Sequence, residues 1–271
     1  MPTIYVVATP IGNLEDISLR ALRTLREVKL IAAEDTRKTQ RLLTKYAIKT
    51  PMTSYHEYSK QAKLDYILGC LEGGDVALVS DAGTPGISDP GYELIVAASQ
   101  RGIQVVPIPG PSVVITALAI SGLPTDRFTY LGFLPPRAKG RQHFLESVAN
   151  EQGTIIVLET PRRLLAALND MMITLGNRRI AVCRELTKIY EEVFRGTISQ
   201  AIEHFTAPRG EFTLVIEGRE KQPKPSSTGD IEQQLHRMRL AGVTAKEALA
   251  TVGAATGVAR KELYRAWLKP D

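Results

Sequence analysis

Three short segments rich in glycine and proline each follow an apolar run: TPIGN at 9–13, SDAGTPGISDPG at 80–91 and PIPGPS at 107–112. Glycine lets a ligand approach the backbone closely and proline keeps that backbone rigid, so such loops suit a ligand held by main-chain groups. One loop of this composition can simply turn the chain. Three at successive strand ends make a site, because ligands of open α/β sheets bind outside the carboxyl ends of the strands. Other chemistries lack their signatures: there is no Walker A lysine loop, no G-x-G-x-x-G fingerprint, no H-E-x-x-H and no G-x-S-x-G elbow. The histidines (His56, His143, His204, His236) are isolated, so no metal site is expected.

The elements that must position these loops alternate. Apolar runs at 4–8, 30–33, 76–79 and 104–108 read as strands, and helical spacing is predicted over 14–30, 37–46, 60–71, 91–101 and from 112 onward. Strands alternating with helices of this length argue for a mostly parallel sheet. After a turn-rich break at 121–127, strands are expected at 128–133, 154–158, 180–183, 191–195 and 212–216, with helices near 140–150 and 162–175. The second sheet should be mixed, because 191–212 leaves little room for crossovers. KQPKPSSTG at 221–229 reads as a linker. Beyond it Ile231, Leu235 and Met238 mark one helix, Thr244 and Glu247 form a capping box for a second, and a third follows Gly257. The expected organisation is an α/β domain over 1–120, a second over 121–220, the linker, and a basic helical tail over 230–271 that resembles a helix-turn-helix module.

At 271 residues, 44% hydrophobic and 23% charged, the chain is long enough for about two cores and too apolar for wholesale disorder. No apolar run reaches the ~20 residues of a membrane span, and the start MPTIYVVATP reads as no signal peptide. Cys70 and Cys183 lie in apolar contexts and are expected to be buried free thiols of a reducing, cytoplasmic setting. From Arg219 onward there are 10 basic and 6 acidic residues, against 24 and 23 before it, so 4 of the 5 net positive charges sit in the last fifth. A basic appendage on a near-neutral body fits a polyanionic partner or a solvated helical surface.

The opening IYVVATPIGNLEDISLRA, the loop SDAGTPGISDPG and PIPGPS together resemble the tetrapyrrole-methylase superfamily, and within it the branch that 2′-O-methylates a cytidine of 16S ribosomal RNA. AEDTR at 33–37, TSYHE at 53–57, LGFLP at 131–135, ELTK at 185–188 with Arg195-Gly196, and GEFTLVIEG at 210–218 extend the resemblance over the whole chain. It implies a methyltransferase using S-adenosyl-L-methionine, an α/β body of two domains with the cofactor in the cleft between them, a homodimer, and the small ribosomal subunit as partner. Carried over by position, it places Ile11, Gly12, Gly83, Thr84, Ile87, Ser112 and Val113 against the cofactor, with Leu158, Leu186, Phe212 and Thr213 from the second domain. Thr84 stands where the metabolite branch has an acid, which fits the RNA-modifying branch. Rival readings are a tetrapyrrole C-methylase of corrin or sirohaem synthesis, and a non-catalytic RNA-binding assembly factor.

Methyl transfer to a ribose hydroxyl is an in-line displacement, in which alignment supplies much of the rate and a base or cation helps the poor nucleophile. The candidates are Glu34, Asp35, Asp81, Asp89 and His56; Asp35 and Asp81 are the foremost. Each has a plainer role. Glu34 or Asp35 can cap the next helix, Asp81 can brace its loop, Asp89 can cap or turn, and His56 can make a surface hydrogen bond. Arg37 can meet a phosphate or Asp35. For RNA, PPRAKGR at 135–141 offers Arg137, Lys139 and Arg141 in what reads as an exposed loop, and Arg162-Arg163 begins a helix. The tail offers Arg260, Lys261 and Arg265. Tyr264 and Trp267 beside them are expected to pack rather than stack on bases.

Overall fold

The computed structural model describes residues 2–56, 61–219 and 228–268. Among these, β1 (Thr3–Val7), β2 (Leu30–Ala33), β3 (Met52–Ser54), β4 (Val76–Val79) and β5 (Gln104–Ile108) form a sheet in the order β3-β2-β4-β1-β5. Every pairing in it is parallel. Parallel neighbours need crossovers, which α1 (Leu19–Glu27), α2 (Thr36–Lys45), α3 (Gln61–Cys70) and α4 (Tyr92–Gln100) supply. The runs LIAA of β2 and VALV of β4 are buried throughout, as strands covered on both faces must be. α1 and α2 pack on one face around Val7, Ile31 and Val79, and α3 and α4 on the other around Ile4, Leu30 and Leu78.

The helix predicted over 14–30 is divided. Asn13 accepts from the Glu15 N–H at 3.1 Å and starts a 3-10 turn (Leu14–Asp16); Ser18 then accepts from the Ala21 N–H and opens α1. Polar caps here override the apolar period. Cys70 is half-buried, not buried as expected, whereas Cys183 is buried.

α5 (Val113–Ser121) leads into β6 (Phe128–Phe133), α6 (Ala138–Ser147), β7 (Thr154–Glu159), α7 (Leu164–Leu175), β8 (Arg179–Arg184), β9 (Glu192–Thr197), α8 (Ile198–His204) and β10 (Phe212–Ile216). The order is β6-β7-β10-β8-β9, with β6/β7 parallel and the other pairs antiparallel, the mixed sheet that the short spacing predicts. α6, α7 and α8 cover one face over Val157, Val182 and Leu214. Against the other lie α5, through Val114, Ala117 and Leu118, and the loop residue Ile11, over Ile156, Ala181 and Val215. The two sheets thereby belong to one compact unit, residues 1–218.

One expectation fails in this half. The basic stretch at 135–141 is not an exposed loop throughout: Arg137 is the N-cap of α6 and Lys139 lies on its exposed first turn, but Arg141 is turned inward and only 4% exposed. Its Nε donates to Asp170 Oδ2 at 2.7 Å, and Gln142 donates to the other carboxylate oxygen at 2.8 Å. A cation taken from water this far must be paired to exist there, so Arg141 belongs to the α6–α7 packing and is removed from the RNA-binding candidates.

Residues 219–271 form a second compact unit. In it α9 (Thr228–Leu240), α10 (Ala245–Thr256) and α11 (Arg260–Trp267) enclose Leu235, Ala248, Val252 and Leu263. The predicted capping box is present, with Thr244 and Glu247 each satisfying the other's backbone N–H. The predicted linker at 221–229 lies outside the described residues, apart from 228 and 229 inside α9.

Candidate functional site

In the first sheet the chain leaves β1 for β2 on one side and β4 for β5 on the other, so the crevice between β1 and β4 is a topological switch point. The first two glycine–proline loops begin there and are stitched together. Thr9 N–H donates to the Gly83 carbonyl at 2.8 Å, Gly83 N–H returns a bond to the Thr9 carbonyl at 3.0 Å, and the Thr9 hydroxyl donates to the Ser80 carbonyl at 3.1 Å. Gly83 holds φ at +77°, a conformation that a side chain would strain. The third loop closes on the same point, where Ala8 N–H donates to the Ile108 carbonyl at 3.2 Å.

The second half of the body reaches the same place through the turn after β8. A Cβ at Gly12 would lie 2.6 Å from both Lys188 Cγ and Thr187 Oγ1, and Asn13 N–H donates to Thr187 Oγ1 at 3.0 Å. Glu185 and Thr187 both have positive φ, 49° and 66°, and Leu186 between them is buried with Ile11. Val113 packs against that same cluster. Thr213, on the central strand, pairs with Leu158 on one side and with Cys183 on the other, near the end of β8 from which this turn emerges. Thr84 and Ser112 are half-buried, and Ile87 is 55% exposed at the loop surface. Phe212 departs from its companions: its ring lies in the α6–α8 core, edge-on to Phe205, so only its backbone faces the loops. These eleven residues include no ionisable side chain. Aliphatic groups, hydroxyls and backbone of this kind, with no lysine or arginine among them, would fit a nucleoside that carries its positive charge on sulfur.

Beside the loops lies an acidic recess. A cavity of about 500 Å³ is lined by Glu34, His56, Ser88, Asp89, Tyr92 and Glu93 among others. Burial pushes the Asp89 carboxyl up to about 6, with Glu34 and Asp81 adding to the shift and Ser80 and Lys38 opposing it. Burial likewise raises the Glu34 carboxyl above its ordinary value, against the N–H of Asp81. Ser88, at φ 59°, shares a 2.8 Å hydrogen bond with the Tyr130 hydroxyl of β6, tying the recess to the second sheet.

Asp35 and Asp81 are occupied otherwise. Asp35 is the N-cap of α2, accepting from Arg37 N–H at 2.9 Å and from its guanidinium at 3.0 and 2.7 Å. The Arg37 side chain holds that carboxyl far below the usual carboxylate range. Asp81 accepts from Asp35 N–H at 3.1 Å and from Lys38 Nζ at 2.6 Å, while its own N–H donates to Glu34 Oε2 at 3.1 Å. Lys38 and Tyr130 escape sequence reasoning as site components, whereas the turn at 185–188 is reached through the ELTK resemblance and Leu186. The signal for Lys38 is its place three residues after a capping aspartate, inside the first turn of α2.

In the helical unit, Lys246, Leu249, Arg260, Lys261 and Tyr264 line an open groove of about 530 Å³. Tyr264 is 49% exposed there, contrary to the packing role expected, whereas Trp267 packs on the unit's core as expected. Arg265 is exposed on the same helix. Among the described residues no cluster could hold a metal ion, and no helix is long and apolar enough to cross a membrane.

Residues 3–202 match the family description Tetrapyrrole (Corrin/Porphyrin) Methylases. A Synechocystis sp. protein named Ribosomal RNA small subunit methyltransferase I is 47% identical over 98% of this chain and 97% of its own. One of the same name from Thermotoga maritima is 49% identical over 81% of this chain and all of its own length, a share close to that of residues 1–218. In three dimensions the uroporphyrin-III-C-methyltransferase of Thermus thermophilus superposes with a TM-score of 0.59 over 80% of this chain and 94% of that one, at 18% identity, which shows a shared fold. With the paired α/β sheets, the stitched switch-point loops and these near full-length identities, the chain belongs to the tetrapyrrole methylases and, among them, to the family of its ribosomal RNA small subunit methyltransferase I relatives.

Proposed function

We propose that the protein transfers the methyl group of S-adenosyl-L-methionine to the ribose 2′-hydroxyl of a cytidine in 16S ribosomal RNA, near the decoding centre of the small ribosomal subunit, acting as a cytoplasmic homodimer. The observation that carries this reading is 47% identity over nearly the full length to a relative named Ribosomal RNA small subunit methyltransferase I, on a chain whose three main-chain loops meet at one switch point. When bound, S-adenosyl-L-methionine supplies a methyl group already activated by its sulfonium. Ile11, Gly12, Gly83, Thr84, Ile87, Ser112 and Val113 hold it from the first half, in a cleft closed from the second by Leu158, Leu186, Thr213 and the backbone of Phe212.

The remaining task is the proton of the ribose hydroxyl. Asp89 suits it: its carboxyl stands near neutrality and lines a cavity on the same loop as Gly83, Thr84 and Ile87. Asp81 and Asp35, the acids foremost in the sequence, serve instead as the brace and the cap that hold Glu34 and the loop in register. Arg137, Lys139, Arg260, Lys261 and Arg265 are the cations offered to RNA phosphates, which orient a substrate without reading its sequence. The three-helix unit presents its share in the manner of a helix-turn-helix module.

The test uses labelled S-adenosyl-L-methionine with small subunits from a strain lacking the gene, beside protein-free 16S RNA and a tetrapyrrole precursor. A 2′-O-methyl group blocks alkaline cleavage at its own phosphodiester, so label in an alkali-resistant cytidine dinucleotide is the expected result. Label confined to the tetrapyrrole would overturn the RNA reading.

A further inference from the structure

The arginines at one end of the second sheet divide into those the fold uses and those it leaves alone. Arg163 donates to the Leu134 carbonyl and to Glu159 Oε2 at 3.1 Å, locking the turn after β7. Arg184 pairs with Glu192 at 3.1 Å and donates from Nε to the Arg209 carbonyl at 2.7 Å, locking the turn before β10. Arg162 and Arg209 sit on these two locked turns. Both are exposed, and among the described residues neither guanidinium meets a carboxylate. They flank one open groove of about 530 Å³ whose floor is Pro161, Leu165, Ala207 and Pro208, with no acid in its lining.

The groove opens where the second sheet delivers its share of the cofactor lining. Arg162 lies four residues beyond Leu158, and Arg209 three before Phe212. We propose that Arg162 and Arg209 form an RNA-binding groove on the α/β body, which grips backbone phosphates of the single strand carrying the target ribose while its apolar floor takes a sugar or base face. Guanidinium groups on rigid backbone suit phosphate, because their planar fork bonds two oxygens at once and little ordering is left to do on binding. The groove rests on the RNA reading above, and it gives the body a hold independent of residues 219–271. Such a hold is consistent with the Thermotoga maritima relative, whose whole length is matched by about as large a share of this chain as the body makes up.

The experiment measures equilibrium binding of the full chain to small ribosomal subunits from a strain lacking the gene, over a salt series, with methyl transfer followed in the same samples. For Arg162→Glu with Arg209→Glu, the affinity is expected to fall roughly 10²- to 10⁴-fold, as removal of two charge-assisted hydrogen-bonding groups implies. For the milder Arg162→Ala with Arg209→Ala, the slope of log affinity against log salt should flatten by about 1.4, from roughly 0.7 per single-strand phosphate neutralised. Cofactor affinity and melting temperature should stay at their wild-type values. Unchanged affinity and slope, beside a wild type that binds and methylates subunits, would overturn the groove and leave the function standing. A fall in cofactor affinity would mean that the groove serves the cofactor instead. A wild type that neither binds nor methylates subunits would sink the RNA reading and the groove together.

Discussion

Asp89 and Asp35 show how far burial and pairing can separate two carboxyls of one family of side chains. Asp89, held near 6, is expected to give kcat/KM a limb that rises with pH and bends close to that value. Asp89→Asn should abolish the limb and slow transfer by roughly 10²–10⁴, the usual contribution of general base catalysis. The effect on stability has the opposite direction. Folding raises this pKa, so the group favours the folded state below its ordinary value near 3.8, and that contribution is lost as pH rises through 6. Asp89→Asn should therefore melt above the wild type at about pH 8 and level with it at about pH 3, by calorimetry at each pH. In the sequence, Asp35, Asp81 and Asp89 are all legible as loop acids, but their division of labour is not. That depends on which carboxyl finds an arginine and which is walled in. Both partners and walls come from distant segments, as Asp81 accepting from Asp35, 46 residues away, illustrates.

Among the elements, the strands are legible because their apolar runs end at loops that cannot be apolar: β2, β4, β5, β6 and β10 fall on or within a residue of their predicted bounds. β3 and α8 carry no such signal. β3 is three half-buried residues at a sheet edge, too short for any periodicity, and α8 depends on a capping box of Thr197 and Gln200 more than on an apolar face. Arg141 marks the corresponding limit for helices, since in a run of basic residues nothing announces which one turns inward. Arg141→Ala should destabilise the body by about 3–5 kcal/mol by stranding the Asp170 carboxylate, whereas Arg141→Met with Asp170→Leu should be far milder, both read by urea titration. Gly12 is the junction between elements most open to test. Gly12→Ala places a Cβ 2.6 Å from Thr187 Oγ1 and should push the first loop off the turn at 185–188, lowering S-adenosyl-L-methionine affinity in calorimetry without unfolding the chain.

At the scale of the whole molecule, the body carries the switch-point loops and almost no net charge, whereas residues from 219 onward carry most of the chain's excess. Because the helical unit has its own core in Leu235, Val252 and Leu263, removing residues 219–271 should leave a folded body that binds S-adenosyl-L-methionine. Its affinity for small subunits should fall, and binding should grow less sensitive to salt in proportion to the phosphates no longer neutralised. The positive φ of Ser88, Glu185 and Thr187 has a different reach. All three are side-chain-bearing residues in a conformation that costs of order 1–3 kcal/mol, Ser88 on the loop at 80–91 and Glu185 and Thr187 on the turn after β8. Glycine would relieve that backbone cost, but at Ser88 and Thr187 it would also remove the Ser88–Tyr130 and Asn13–Thr187 hydrogen bonds that join the two halves of the body. At Ser88 and Thr187 the strain and the bond between the halves are therefore one device, the backbone bending where its hydroxyl must reach the other half.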